Sequence, residues 1–289
     1  MLKSTINLRW IAKKAARTGV AVGSWSSGVL DGPGASDPRV LTYHRFGDNP
    51  HDPFCVDVET FARQMEVLAE SGRAVSLADI EGFLFHQEAL PHGAVLVTID
   101  DGYRSTFSEA LPILRDLGVP AVAYIPTGCM GGTDDDLEAR MTWDEVGKLA
   151  EGGIAVGSHA WSHQSLGAMD RLAIAHEVDR SRELLEQRTG IRVTSFAYPF
   201  GTRADYSEVS RDALATGGYR TAFTSQHGAL DSNADALELP RVKVEGGEPL
   251  WMFRLLIRGG LDAWNLVDRT LWRIQANRNP ELGSGAEAS

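Results

Sequence analysis

Three short stretches of this chain carry residue types that can do chemistry. Asp100-Asp101-Gly102 sets two carboxylates side by side directly after the apolar run AVLVTI. Neighbouring carboxylates repel unless a cation is close; the competing reading is a strand-ending turn in which an aspartate caps a helix beginning near residue 105. His159-Ala-Trp-Ser-His163 follows IAVGS. On a helix, that i,i+4 spacing puts both imidazoles on one face, as a metal requires; otherwise one histidine caps and the other lies on the surface. Two imidazoles and one carboxylate together suit Zn2+ or a similar ion, with positions left open for water and substrate. The other carboxylate is then free to act as general base, which describes metal-assisted hydrolysis. The third stretch is Phe196-Ala-Tyr-Pro-Phe-Gly201. Proline forces the chain out of a sheet there. Such a turn either aims the next backbone N–H into a cleft as an oxyanion donor or is an ordinary exit flanked by core aromatics.

Each stretch follows a run that reads as a β-strand. Those runs are VLTY (40–43), RAVSL (73–77), AVLVTI (94–99), VPAVAYI (119–125), IAVG (154–157), VTSFA (193–197), RTAFTS (220–225) and LPRVKV (239–244). Several are continuously apolar, as parallel strands covered on both faces are. Helical patterns alternate with them. Phe61, Met65, Leu68 and Ala69 form a stripe stopped by Gly72, and Leu111, Leu114 and Leu117 form one ended by Gly118 and Pro120. Thr142 and Glu145 form a capping box, with Trp143 packing the helix it starts, and a charged helix runs over 170–189 to Gly190. Eight strands alternating with helices predict one α/β domain built as a closed or nearly closed barrel, with an open doubly wound sheet as the alternative. The chemistry-bearing residues then sit at the carboxyl ends of strands, where such folds build their sites.

Composition narrows the classes. The 289 residues are 43% apolar, too many for a disordered chain. Cys55 and Cys129 are the only cysteines, so no disulfide scaffold is built. A net charge of −11 argues against general nucleic-acid binding. Cys129 reads as a small buried hydrophobe, and Asp134-Asp135-Asp136 as a solvated loop without an EF-hand pattern.

TIDDG, HAWSH and AYPFG, in this order, resemble the polysaccharide deacetylases, carbohydrate esterase family 4 or NodB homology domain, over roughly residues 38–245. The resemblance implies a distorted (β/α) barrel of about seven to eight strands, one divalent metal (usually zinc), and removal of acetyl groups from N-acetylated sugars. By position it implies Asp101, His159 and His163 as metal ligands, Asp100 as base and the Phe200 backbone N–H as oxyanion donor. Two positions depart from the pattern. Ala197 stands where an arginine commonly orients the base, and Leu239-Pro240-Arg241 stands where a histidine acid is usual. The chain therefore resembles the exopolysaccharide deacetylase branch, in which a histidine ends the first strand. Here that is His44, read as the acid or as the electrophilic partner of the tetrahedral intermediate, against the alternative of a buried histidine bonded to backbone. Arg241 or Arg203 could supply the missing positive charge beside Asp100.

The expected organisation is a basic amphipathic extension (1–37), a catalytic domain (38–248) and a carboxyl-terminal amphipathic helix with a disordered tail (249–289). Residues 1–30 hold five basic residues and no acid. The stripe Phe253, Leu256, Ile257, Leu261, Trp264, Val267, Leu271 and Ile274 is flanked by Arg254, Arg258, Arg269 and Arg273. It either docks on its own domain or, with residues 1–20, makes peripheral contact with anionic membrane through 250–275. The first thirty residues lack a dense apolar stretch and a cleavage site, which predicts a cytoplasmic protein, at most held to the inner face of the membrane. The expected activity is de-N-acetylation of an amino sugar in an oligosaccharide, glycan or lipid-linked glycan precursor. The rivals are hydrolysis of a non-sugar amide or O-acetyl ester, and a catalytically silent glycan-binding or membrane-scaffold protein.

Overall fold

A computed structural model gives the structure and describes residues 8–26, 36–49, 52–131 and 139–267. In chain order the strands are β1 (Arg39–Tyr43), β2 (Arg45–Phe46), β3 (Cys55–Val56), β4 (Val95–Ile99), β5 (Ala121–Ile125), β6 (Ala155–Ser158), β7 (Ser195–Ala197), β8 (Thr221–Phe223) and β9 (Val242–Lys243). The α-helices are α1 (Leu8–Ser26), α2 (Val58–Ser71), α3 (Leu77–His86), α4 (Leu111–Leu117), α5 (Trp143–Glu151), α6 (Arg171–Thr189), α7 (Glu208–Thr216) and α8 (Leu250–Leu256).

Seven strands form one parallel sheet in the order β8-β7-β6-β5-β4-β1-β9, while β2 and β3 pair separately. From β4 to β8 each strand lies beside its predecessor, so the sheet winds in one direction, as a barrel does and a doubly wound sheet does not. Its two edges nearly meet. Leu239 bridges Phe223 in β8, and three residues later β9 pairs with Leu41 and Thr42 of β1. The stretch 239–243 is therefore the seam of a curled, nearly closed barrel.

The period-two alternation of strands sorts side chains between two cores. Leu41, Val97, Ala123 and Ile125 pack outward with Phe61, Met65 and Leu68 of α2, Leu114 of α4 and Leu149 of α5. Val40, Leu96 and Val122, each the second residue of its strand, point inward and pack with Ile80 of α3. Two residues further on, the inward positions are Thr42, Thr98 and Tyr124. Beyond those, at the carboxyl rim, stand His44 and Asp100. The barrel is thus apolar at its base and polar at its mouth.

The predicted caps are present: Gly72 at φ 62° ends α2, the Thr142–Glu145 capping box opens α5, and Gly190 ends α6. RAVSL is a correction. Only Ala74 bridges to Val95 there, because Ser76 and Asp79 form a reciprocal capping box that turns the chain into α3. The terminal stripe takes the first of its two readings over residues 253–261, docking on its own domain. Phe253, Leu256, Ile257 and Leu261 are buried in the outer core, so these side chains are not available to a lipid surface. Arg17 of α1 is 2% exposed and is held by Glu248 (Nε–Oε1 2.8 Å), by Glu245 and by the Lys243 carbonyl. Among the described residues no helix is long and apolar enough to cross a membrane. Residues 1–7, Asp134-Asp135-Asp136 and 268–289, with Arg269, Leu271, Arg273 and Ile274, lie outside the described residues.

Candidate metal and active site

Asp100 leaves β4 on the same face as Thr98 and Leu96, so it points into the barrel mouth. Arg241 reaches it from the seam with two parallel bonds, Nη1 to Oδ1 at 2.8 Å and Nη2 to Oδ2 at 2.7 Å. The guanidinium is itself fixed, because Nε donates to the Thr224 carbonyl at 2.8 Å and Nη1 also reaches the Thr98 hydroxyl. Burial pushes the Asp100 carboxyl up, but the charge and hydrogen bonds of Arg241 outweigh it and hold the group below its ordinary value. Asp100 is an ionised carboxylate, 2% exposed, on the wall of the cavity. The arginine absent at Ala197 has a counterpart in Arg241, whereas Arg203 bonds Tyr206 and Glu238 instead.

The adjacent Asp101 turns the other way in its backbone, at φ 73°, and meets both histidines. Its Oδ1 lies 3.3 Å from His159 Nε2 and 3.0 Å from His163 Nε2, and one ligand atom from each of the three residues lies within 4.8 Å of the others. Separations near 3.0–3.4 Å are the edges expected of a coordination polyhedron with bonds of about 2.1 Å. His159 Nδ1 lies 2.7 Å from the Ala197 carbonyl. A carbonyl can only accept, so this nitrogen carries the hydrogen and Nε2 presents its lone pair to the cluster. The donor set and its orientation fit a divalent cation.

The two histidines do not lie on a helix. Ala160 and His163 have φ of 62° and 59°, and the segment is a loop that folds back so that both rings face Asp101. Phe200 is likewise at φ 59°. Four of the five non-glycine residues with positive φ among the described residues thus fall in these motifs, where surrounding contacts must hold an unfavourable backbone. For Phe200 those contacts are the Ser225 hydroxyl on its carbonyl and the Ser225 N–H on Gly201, whose missing Cβ would stand 2.6 Å from that nitrogen. The ring of Phe200, 41% exposed, lies 5.2 Å from that of His163.

His44 shares the cavity with Asp100, Asp101, His159, His163 and Arg241. Its Nδ1 is buried without a hydrogen-bond partner among the described residues, and its ring stands edge-on to Phe54 at 4.9 Å. Burial pushes its pKa down to about 4. The ring is neutral at pH 7, which suits an N–H donor better than an imidazolium acid. The cavity measures about 780 Å3 and also takes in Phe54, Phe200, Lys243 and Trp264. Cys129 is half-buried, burial raises its thiol, and Sγ lies against the Ser162 carbonyl. Trp143 packs at the start of α5 beneath Arg188.

Three contributors were not anticipated from sequence. Arg140 donates to the Asp101 carbonyl while stacking 3.7 Å above the Tyr103 ring. Thr98 links Arg241 to the Leu41 carbonyl. Glu177 bonds the loop between the histidines. A signal existed for two of them. Thr98 is a polar residue within an apolar strand, and Glu177 interrupts the apolar stripe Ile174, Val178 and Leu185 of α6.

A parallel β/α barrel with an Asp-His-His cluster at its carboxyl rim defines a NodB-type barrel. The model of the polysaccharide deacetylase family matches residues 87–222 of this chain. The chain is 25% identical over 209 residues to YxkH of Bacillus subtilis, a protein of the same family name, covering 72% of this chain and 71% of that one. It is 26% identical over 256 residues to the poly-beta-1,6-N-acetyl-D-glucosamine N-deacetylase of Escherichia coli, covering 74% of this chain but only 37% of that longer protein. Among solved structures it resembles IcaB from Ammonifex degensii in fold, with TM-score 0.68 and 23% identity over 78% of this chain and 97% of that one. The Streptococcus pyogenes deacetylase PplD, solved with acetate, gives TM-score 0.65 and 21% identity over 72% and 92%.

Proposed function

We propose that this protein is a metal-dependent de-N-acetylase of an amino sugar within a glycan or lipid-linked glycan precursor. The observation that carries this reading is the pairing of an Arg241-held carboxylate, Asp100, with the Asp101-His159-His163 cluster in one cavity. Asp101, His159 and His163 would hold the ion, for which two imidazoles and a carboxylate suit zinc. When bound, such a cation supplies Lewis acidity toward water and an acyl oxygen.

The protein's own groups do the rest. Asp100 accepts a proton from the water that attacks the acetyl carbon, and Arg241 keeps the carboxylate ionised and aimed. The Phe200 N–H, which has no protein acceptor among the described residues, donates to the carbonyl oxygen as negative charge develops there. His44, neutral at pH 7, offers an N–H to the same developing charge. Asp100 returns its proton to the sugar nitrogen as the C–N bond breaks, so amide and water become amine and acetate. Phe54 and Phe200 at the cavity wall, 38% and 41% exposed, suit the apolar faces of sugar rings. The name of the Escherichia coli relative favours N-acetylglucosamine as the sugar.

The test is acetate release from N-acetylglucosamine oligosaccharides, lipid-linked N-acetyl sugars, O-acetylated sugars and non-sugar acetamides, by chelator-stripped protein with and without Zn2+. Zinc-dependent release from the N-acetylated sugars is expected. Release only from esters or non-sugar amides, or none from any, would overturn the reading.

A further inference from the structure

The loop that carries the two histidines is clamped from both sides. On one side the Thr127 N–H donates to the Ala160 carbonyl at 3.1 Å and the Gly128 N–H to the Trp161 carbonyl at 2.7 Å. Gly128 is needed for that approach, since a Cβ there would stand 2.7 Å from the Trp161 oxygen. On the other side stands Glu177 of α6, 5% exposed. Its Oε2 accepts from the Trp161 N–H at 3.0 Å and the Ser162 N–H at 2.8 Å, and its Oε1 accepts from the Ser162 hydroxyl at 2.6 Å. No cation pairs with it among the described residues; donors from this one loop compensate the buried charge. Every donor lies between His159 and His163, and the last is the residue before His163.

We infer that Glu177 is the positioning residue that sets His163 for metal binding. The inference rests on reading Asp101, His159 and His163 as the metal site. His159 is held independently, by the Ala197 carbonyl at Nδ1. His163 has the left-handed backbone and is more exposed, so its orientation depends on the peptide units before it. Glu177 holds two of these, the Ala160–Trp161 and Trp161–Ser162 units, together with the Ser162 hydroxyl. A carboxylate suits the task because it accepts through both oxygens, and bonds to an ionised acceptor are short and strong. It touches neither substrate nor reacting atoms and acts through another side chain.

The experiment is zinc affinity of the metal-free full-length chain, measured by competition with a chromophoric chelator, for wild type, Glu177→Ala, Glu177→Gln, His163→Ala and the Glu177→Ala/His163→Ala double variant. Glu177→Ala should weaken zinc binding by about 10- to 100-fold, the usual effect of removing a group that orients a ligand. Glu177→Gln, which keeps an acceptor for the two N–H groups, should recover most of that loss. In the His163→Ala background, Glu177→Ala should change affinity by less than about twofold, because its route to the metal is gone. Ser162→Ala, which removes one bond of the three, gives a milder loss of the same kind if Glu177→Ala fails to fold. Wild-type affinity in Glu177→Ala (or in Ser162→Ala, should that be the variant that folds) overturns the inference, as does an undiminished Glu177→Ala effect without His163. If wild type binds zinc but releases no acetate, the function is wrong and this inference stands; if wild type takes up no zinc, both fall.

Discussion

Arg241 and Asp100, far apart in sequence, meet as a buried bidentate pair at 2.8 and 2.7 Å, and the pair spans the barrel from its seam to its fourth strand. Arg241 sits between Leu239, which bridges β8, and Val242, which pairs with β1, so barrel closure itself delivers the guanidinium to the carboxylate.

Removing Arg241 should therefore change the proton affinity of Asp100. With the arginine gone, burial acts with less opposition and the carboxyl rises above its present position. For Arg241→Met the acid limb of the pH profile of kcat/KM should move to higher pH, with greater loss near pH 5 than near pH 8. Arg241→Lys keeps a charge without the planar fork and should fall between. Zinc affinity should change by only a few-fold. An acid limb that stays in place would show that Arg241 does not tune this group.

Two buried histidines make fold stability depend on pH. His44 is pushed down to about 4, and His227 to about 3 by burial and the nearby Arg17 and Arg39 charges. Both are neutral in the fold, while unfolded histidine titrates near ~6.5. Between those values the unfolded chain binds more protons, so stability rises with pH. The contribution is complete above about pH 7 and is lost progressively as pH falls from ~6.5 toward ~4. The Tm of the metal-free protein should drop from pH 7 to pH 5, and His227→Asn should flatten that slope by up to one proton. Identical slopes would contradict the assignment.

Period-two alternation explains why so much of this barrel could be read from sequence. Apolar runs such as AVLVTI and VPAVAYI identify strands buried on both faces, and their carboxyl ends identify Asp100, Asp101 and His159 as rim residues. RAVSL misled because a Ser76–Asp79 capping box, with serine embedded in a β-like run, outweighs strand propensity. The HxxxH spacing suits one face of a helix, yet His159 and His163 converge on Asp101 through a loop with left-handed residues, a conformation that side-chain types do not announce. Arg241 was only one of two candidate cations, because choosing it over Arg203 requires knowing where the seam closes. The terminal stripes show the limit of amphipathic patterns: the same spacing serves a lipid surface and a protein core.

Arg17 illustrates that last point and gives a stability prediction. It is almost fully buried with Glu248 and Glu245, and its Nη2 bonds the carbonyl of Lys243 in β9. Arg17→Met leaves two buried carboxylates without that partner, a loss of about 3–5 kcal/mol for a broken buried pair. At roughly 2–4 °C per kcal/mol for a domain of this size, the Tm should fall by about 6–20 °C. A variant melting with wild type would mean that α1 contributes little to the fold.

The most direct test is the Asp100→Asn variant, loaded with zinc and assayed for acetate release from N-acetylglucosamine oligosaccharides with its metal content measured in parallel. Asp100 lies beside the Asp101-His159-His163 cluster without belonging to it, so variant and wild type should each hold one zinc per chain, and the variant should lose at least ~10²-fold in kcat. Full turnover with zinc bound would contradict Asp100 as the base, and loss of zinc along with turnover would contradict the division of labour between the two aspartates.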